Sequence, residues 1–473
     1  MNKRLMFSAA LVMALLSANA QKRAFTIEDL YRVKGLSSVS LSPDGKTVCY
    51  TASSSDLKSQ KSGSDIYIMN ADGSHTKALT EDGKSSSAVW SKDGKSIFFT
   101  NNEKGTAQIF RMDLTTCETE QVTDYELGIG SPVISPVLTG KAISEFDFDN
   151  KGMVYYTYST TGKPSALYRQ QMKKWNGTPV ASGKEQQITF LNQKLENEVD
   201  IRPSESIWVD GAGGDKVQVF IVKPHNFDAS KKYPLIINVH GGPQMQWMNS
   251  FRGDWQVYPA AGYVVAYPNP HGSTGYGQAF TRAISGDWGG KVFEDVMKVT
   301  DKLATLEYVD STRMGAMGWS YGGYMMNWLQ GHTKRFKCLA SMMGVYDLRS
   351  MWGSTEEVWF PNFELEGQPY NSDLYEKWSP SSYIKNFSTP TLVMTGELDY
   401  RVPYTQSLQY FTALQTLNIP SRLIVLKYDG HWPSNLKSMP LYYNAHLDWF
   451  HRYLGGAPAP WDTEKMVNNE IEY

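Results

Sequence analysis

Cysteine is scarce in this chain, with only Cys49, Cys117 and Cys338 among 473 residues. One bridge at most can form and an odd thiol remains, which excludes a disulfide-held scaffold. The three read as small apolar side chains. Histidine is sparse too, and its eight positions show no metal-ligand spacing, so no metal and no cofactor is expected. Charge of one sign is also missing. A net charge of −2 gives no reason to expect nucleic acid as a partner. Nor is there a run of the roughly 18 apolar residues that spans a membrane. The nearest, Leu5 to Leu16, follows Lys3 and Arg4 and precedes Ala18-Asn-Ala20. That is the pattern of a secretory signal peptide at 1–20, cleaved before Gln21. Its loss removes Lys3 and Arg4 and leaves 44 basic against 48 acidic residues, a net charge of −4. The expected location is therefore periplasmic or secreted.

The strongest motif present is Gly318-Trp-Ser-Tyr-Gly-Gly323. Glycines flank Ser320 at the second position on either side, between an apolar run, Arg313 to Met317, and a helix-like run, Tyr321 to Gln330. This is the pattern of a nucleophile elbow, a turn so sharp that the hydroxyl stands clear of the sheet. Such a serine needs an acid and then a histidine later in the chain. The predicted strand 391–395 ends at Asp399, and the predicted strand 421–426 ends at Asp429-Gly-His431. Asp399 would hold the tautomer of His431 whose Nε2 takes the Ser320 proton. Glu397 and Asp429 are the competing acids, the first within the turn and the second too near His431 in sequence. For the oxyanion, donors are expected from Gly242, after the buried strand ending at His240, and from Tyr321, the residue after the nucleophile. His240 reads as a positioned structural histidine.

Residues 204–455 resemble the catalytic domain of the prolyl oligopeptidase family of serine peptidases. Five motifs in order carry the resemblance: His240-Gly-Gly-Pro243, Gly286-Asp-Trp-Gly-Gly290, Gly318 to Tyr324, Gly396-Glu-Leu-Asp-Tyr-Arg-Val-Pro403 and Gly430-His431. Ser354-Thr-Glu-Glu-Val-Trp-Phe360 adds a similarity to the acylaminoacyl-peptidase and dipeptidyl-peptidase V branch. The resemblance implies nucleophile Ser320, acid Asp399 and base His431, and sets Arg401 beside the substrate pocket. A surface ion pair is the other reading of Arg401. Trp352, Trp359 and Phe360 are candidates for an apolar pocket, with plain core packing as the alternative.

Between the leader and this region the chain changes character. Leu41-Ser-Pro-Asp-Gly-Lys46 and Trp90-Ser-Lys-Asp-Gly-Lys95 each precede a strand-like run, and Phe146 to Gly152 is a weaker third copy. Asp-Gly turns between strands at a fixed period mark propeller blades. The copies resemble TolB-like repeats, which the peptidase family also carries, but the family's propellers have seven or eight blades. Loss of several blades near Ser135-Pro-Val-Leu-Thr-Gly140 would explain the deficit, leaving the array's usual gating role open.

The expected fold is thus an α/β-hydrolase domain at 204–455, a doubly wound sheet with helices at 293–307, 321–332, 404–417 and 439–453, preceded by an all-β, incomplete β-propeller at 25–200 and followed by a tail at 456–473. The expected function is a secreted serine peptidase acting on short peptides through an acyl-enzyme, dipeptidyl- or acylaminoacyl-peptidase-like. An esterase and a non-catalytic propeller-based binding protein are the alternatives. Endo- against exo-cleavage and a homo-oligomeric state stay open. Glu356, Glu357, Glu196 and Glu198 are loose candidates for anchoring a free N-terminus.

Overall fold

The structure, a computed structural model, describes residues 22–91, 93–103, 107–122, 142–149, 153–175 and 178–471. The leader at 1–20 and the break near Ser135–Gly140 lie outside the described residues.

A short strand, β1 (Arg23–Ala24), opens the described chain, and three four-stranded antiparallel sheets follow. The first holds β2 (Gly35–Leu41), β3 (Thr47–Asp56), β4 (Lys61–Asn70) and β5 (Lys77–Ala78). The second holds β6 (Ser85–Trp90), β7 (Ser96–Asn101), β8 (Gln108–Asp113) and β9 (Thr119–Gln121). The third holds β10 (Ala142–Phe148), β11 (Met153–Thr160), β12 (Lys163–Trp175) and β13 (Thr178–Gln187). The turn chemistry of the first two repeats almost atom for atom. Asp44 accepts from Ser42 Oγ at 2.7 Å and Lys46 N–H at 3.1 Å, and Asp93 accepts from Ser91 Oγ at 2.6 Å and Lys95 N–H at 3.1 Å. Gly45 and Gly94 both sit at φ +70°, a conformation open to glycine without steric cost.

These sheets pack in an order that differs from their order in the chain. One buried cluster joins the first sheet to the second, through Cys49 and Ile66 against Ile97, Phe99 and Met112. Another joins the first to the third, through Val48, Tyr50 and Met69 against Tyr155 and Leu167. Glu145 and Asp147 of β10 accept the N–H groups of Val39 and Leu41 at 2.9 and 2.8 Å. Among the described residues no buried cluster joins the second sheet to the third. The first sheet thus lies between the second and the third.

After β14 (Val199–Asp200) comes an eight-stranded sheet of β15 (Ser204–Asp210), β16 (Lys216–Val222), β17 (Tyr233–Val239), β18 (Val264–Asn269), β19 (Val309–Trp319), β20 (Cys338–Met342), β21 (Thr391–Gly396) and β22 (Ser421–Leu426). Its order is β15-β16-β18-β17-β19-β20-β21-β22, antiparallel at the first two pairings and parallel thereafter. Alternate side chains serve opposite faces. Leu235, Ile237 and Val239 meet α1 (Lys291–Ala304) and α2 (Tyr321–His332), whereas Ile236 joins the core under the last long helix. Two more helices, α3 (Thr405–Thr416) and α4 (Ser438–Leu454), complete the layers, and Tyr442, Leu447, Phe450 and Leu454 of α4 face that second core. Among the described residues no helix is long and apolar enough to cross a membrane.

Three features differ from expectation. Strands β15 and β16 form a hairpin that precedes the first strand expected from the sequence. Residues from 25 onward were expected with the repeats, yet β1 pairs in parallel with β14, and Phe25 and Ile27 are buried with Trp255, Tyr258 and Tyr267 of the α/β core. Those two side chains need an apolar partner, and the sheet face supplies it. The tail at 456–473 docks rather than trails, because Asn444 of α4 donates to Trp461 O at 2.9 Å and Met466 is buried. Cys117 is exposed, not buried, while Cys49 and Cys338 are fully enclosed.

Candidate active site

Ser320 links the end of β19 to the start of α2 with φ +59° and ψ −116°, a left-handed conformation costly for a residue with a Cβ. Its surroundings hold it there. A Cβ on Gly318 would stand 2.4 Å from Gly322, and one on Gly322 would stand 2.1 Å from Val239 O. Only glycine lets the strand, the turn and the helix approach so closely. The Ser320 N–H donates to Met342 O at 2.9 Å, which pins the turn to β20.

His431 Nε2 lies 2.9 Å from Ser320 Oγ, and His431 Nδ1 lies 2.8 Å from Asp399 Oδ2. The other carboxylate oxygen, Oδ1, accepts the N–H groups of Arg401 at 3.0 Å and Val402 at 2.9 Å. Asp399 and His431 are buried, while Ser320 is half-buried. The competing acids are otherwise engaged. Glu397 is exposed, and Asp429 accepts from Ser434 and Asn435 N–H at 2.9 and 3.0 Å and from the Ser438 hydroxyl. Asp429 therefore shapes the loop that carries His431, which Trp319 also holds by donating Nε1–H to His431 O at 3.0 Å.

The loop after β17 leans on the elbow. A Cβ on Gly241 would meet Trp319 O at 2.8 Å and come within 3.7 Å of Ser320 Oγ, which brings the backbone on the N-terminal side of Gly242 against Ser320. The Tyr321 N–H is the first of α2, one of the leading amides a helix leaves unsatisfied. His240 lies off the Ser320–His431–Asp399 line. It is buried, with Nδ1 2.7 Å from Gly241 O and Nε2 2.8 Å from Ser273 Oγ, and burial pushes its pKa down to about 4.

The pocket candidates fall in different places. The Arg401 guanidinium is paired with Glu356 at 3.1 Å and Glu357 at 3.0 Å, and lies 4.8 Å above the Trp432 ring, whose neighbour in turn is His431 at 4.8 Å. Phe360 packs 5.9 Å from Trp288, which packs 5.4 Å from Tyr321, so Phe360 is one ring removed from the residue after Ser320. Trp352 is half-buried and donates to Asn362 Oδ1 at 2.8 Å, whereas Trp359 is 66% exposed. Glu198 pairs with Arg32 beside Asp29, in the segment that follows β1.

One buried carboxylate was missed. Glu364 is 1% exposed and accepts from Gln244 Nε2 at 2.8 Å, Trp288 Nε1 at 3.1 Å and Ser285 Oγ at 3.2 Å. Burial raises its pKa, and those three donors pull against the rise. It ties the loop after Gly242 to the Gly286-Asp-Trp288 turn, a purely tertiary link that no spacing in the sequence reports.

Comparison with known proteins follows the same division of the chain. Residues 249–457 match the prolyl oligopeptidase family, and residues 28–194 match the TolB beta propeller domain. A dipeptidyl-peptidase 5 of Schizosaccharomyces pombe is 39% identical over 276 residues, covering 56% of this chain and 40% of the relative. A probable dipeptidyl-peptidase 5 of Emericella nidulans is 30% identical over 489 residues, covering 92% of this chain and 67% of the relative. The chain thus spans between 40% and 67% of these curated relatives. Among solved structures, an acylaminoacyl peptidase of Pyrococcus horikoshii shares the fold at TM-score 0.77 and 18% identity, over 94% of this chain and 100% of its own.

Proposed function

The chain belongs to the prolyl oligopeptidase family, and from that premise we propose that it is an exported serine peptidase that hydrolyses short peptides through an acyl-enzyme. The observation that carries the proposal is the unbroken line from Asp399 through His431 to a Ser320 held on a left-handed elbow. Ser320 Oγ attacks the peptide carbonyl carbon as its proton passes to His431 Nε2. Asp399 keeps the ring oriented and stabilises the imidazolium. The N–H groups of Gly242 and Tyr321 receive the oxyanion. The carbon–nitrogen bond breaks as His431 returns that proton to the leaving amine. A water molecule, deprotonated by His431, then releases the acyl group and restores Ser320.

Phe360, behind Trp288 and Tyr321, with Trp352 and Trp359 supplies an apolar pocket for the side chain next to the cleaved bond, and Arg401 borders it. Cleavage in the dipeptidyl or acylaminoacyl manner is the finer reading, supported by the names of the relatives and structural neighbours.

The test is labelling with a fluorophosphonate probe, beside Ser320→Ala, with the modified residue located by mass spectrometry. Labelling at Ser320 and hydrolysis of a peptide amide are expected. No labelling of the folded chain refutes an activated serine, and cleavage of the matching ester but not the amide would make it an esterase.

A further inference from the structure

Exposed aromatic rings are rare on this chain, and they are not scattered. Six of the eight exposed aromatic side chains among the described residues are Trp359, Phe363, Tyr370, Tyr400, Tyr428 and Trp432, exposed by between 59% and 82%. Soluble surfaces seldom gather that much apolar area without a ligand for it. The three segments that carry these rings, one of them the short helix Trp359–Glu364, are joined by backbone hydrogen bonds, Glu356 N–H to Tyr400 O at 2.8 Å and Leu398 N–H to Asp429 O at 3.0 Å. They are also the segments of the candidate site. Tyr400 follows Asp399, and Trp432 follows His431 and packs against its ring.

Charge narrows the choice of occupant. Arg401 is paired with Glu356 and Glu357, and Lys427 lies over the Tyr428 ring at 5.4 Å, so the patch has no basic surplus for an anionic surface. Its position narrows the choice further. A second copy of the chain seated on these segments would block Ser320, whereas a substrate strand running across them leads into it. Resting on the peptidase reading above, we propose that this aromatic rim, Trp359 at the pocket apart, binds apolar side chains of an extended polypeptide beyond the residues that flank the cleaved bond. The enzyme then reads peptide length as well as the residues at the cut.

Binding to the Ser320→Ala chain tests this without turnover. Two acetylated peptides with the same central four residues are compared by calorimetry, one of four residues and one of ten carrying Leu and Phe outside the centre. The longer is expected to bind at least about tenfold more tightly, as a few buried aromatic contacts give. Tyr370→Ser, Tyr400→Ser and Tyr428→Ser together are expected to erase most of that gain. They should leave the short peptide's affinity, and wild-type turnover of a short chromogenic amide, within about twofold, since contacts outside the reacting centre read out only with the longer chain. Equal affinity for the two lengths overturns the proposal, as does a gain that survives the triple substitution. If sedimentation instead shows a dimer that the triple substitution dissolves, with the length gain intact, the face belongs to a second copy. Failure of wild type to cleave the short amide, with length-dependent binding retained, counts against the peptidase reading and not against the rim.

Discussion

Replacing Asp399 by asparagine probes the geometry most directly, because the structure dictates which way the new amide must face. Asp399 Oδ1 accepts two backbone N–H groups, from Arg401 and Val402. Only the asparagine carbonyl oxygen can take that place, so the NH2 group turns toward His431 Nδ1 across the 2.8 Å contact. An N–H facing Nδ1 makes that nitrogen an acceptor and moves the ring proton to Nε2. The nitrogen 2.9 Å from Ser320 Oγ then carries a hydrogen and no longer serves as a base. A wrong tautomer of this kind lowers kcat about 10⁴-fold. At about 1.36 kcal/mol per factor of ten, that is roughly 5 kcal/mol of lost transition-state stabilisation. Neither Glu397, which is exposed, nor Asp429, whose oxygens serve the 434–438 turn, can substitute. The assay is kcat and KM on a short peptide amide, with fluorophosphonate labelling rates in parallel. Both rates should collapse while KM and the far-ultraviolet spectrum stay near those of the parent. A variant retaining more than about a tenth of the parental kcat refutes the argument from tautomer.

Other substitutions test other parts. Gly322→Ala puts a Cβ 2.1 Å from Val239 O and should cost at least about 3 kcal/mol or prevent folding. Gly353→Ala, whose nearest contacts are at 3.8 Å, should unfold near the parental temperature, and equal effects of the two would undo the steric reading. His271 lies between Asp295 at 2.7 Å and Asp215 at 3.1 Å. Burial works against its charge, but the hydrogen bond and charge of Asp295, with Asp215, prevail and raise its pKa. The stabilisation is therefore complete below the unfolded value of about 6.5 and fades as pH rises through the folded value. His271→Gln should lose more stability in urea at pH 6 than at pH 8.5, and an equal loss at both would contradict that coupling.

The elbow and its partners were readable from the sequence because strand, sharp turn and helix force a local pattern. Gly318 and Gly322 are there for lack of space, and Asp399 and His431 follow apolar strands in the order the sheet requires. The first two blades were readable for a similar reason, since Ser42-Pro-Asp-Gly and Ser91-Lys-Asp-Gly fold by bonds within the turn. What escaped depends on contacts between distant segments. Glu364 meets Gln244 and Trp288 only in the folded chain, and the packing of the first blade between the other two has no local signature. The β15–β16 hairpin is hard to read locally although Val217, Val219 and Ile221 alternate toward the core, because its pattern is weaker than that of the fully apolar strand that follows.

The pairing of β1 with β14 also sets a timetable. Residue 23 pairs with residue 199, so all three described blades are synthesised before this two-stranded sheet can close. Phe25 and Ile27 pack on Trp255, about 230 residues further on, which is roughly 12–46 seconds of synthesis at ordinary rates. The α/β core is thus covered by residues that precede the blades, and removing Phe25 and Ile27 would uncover it from a point some 230 residues away in the chain.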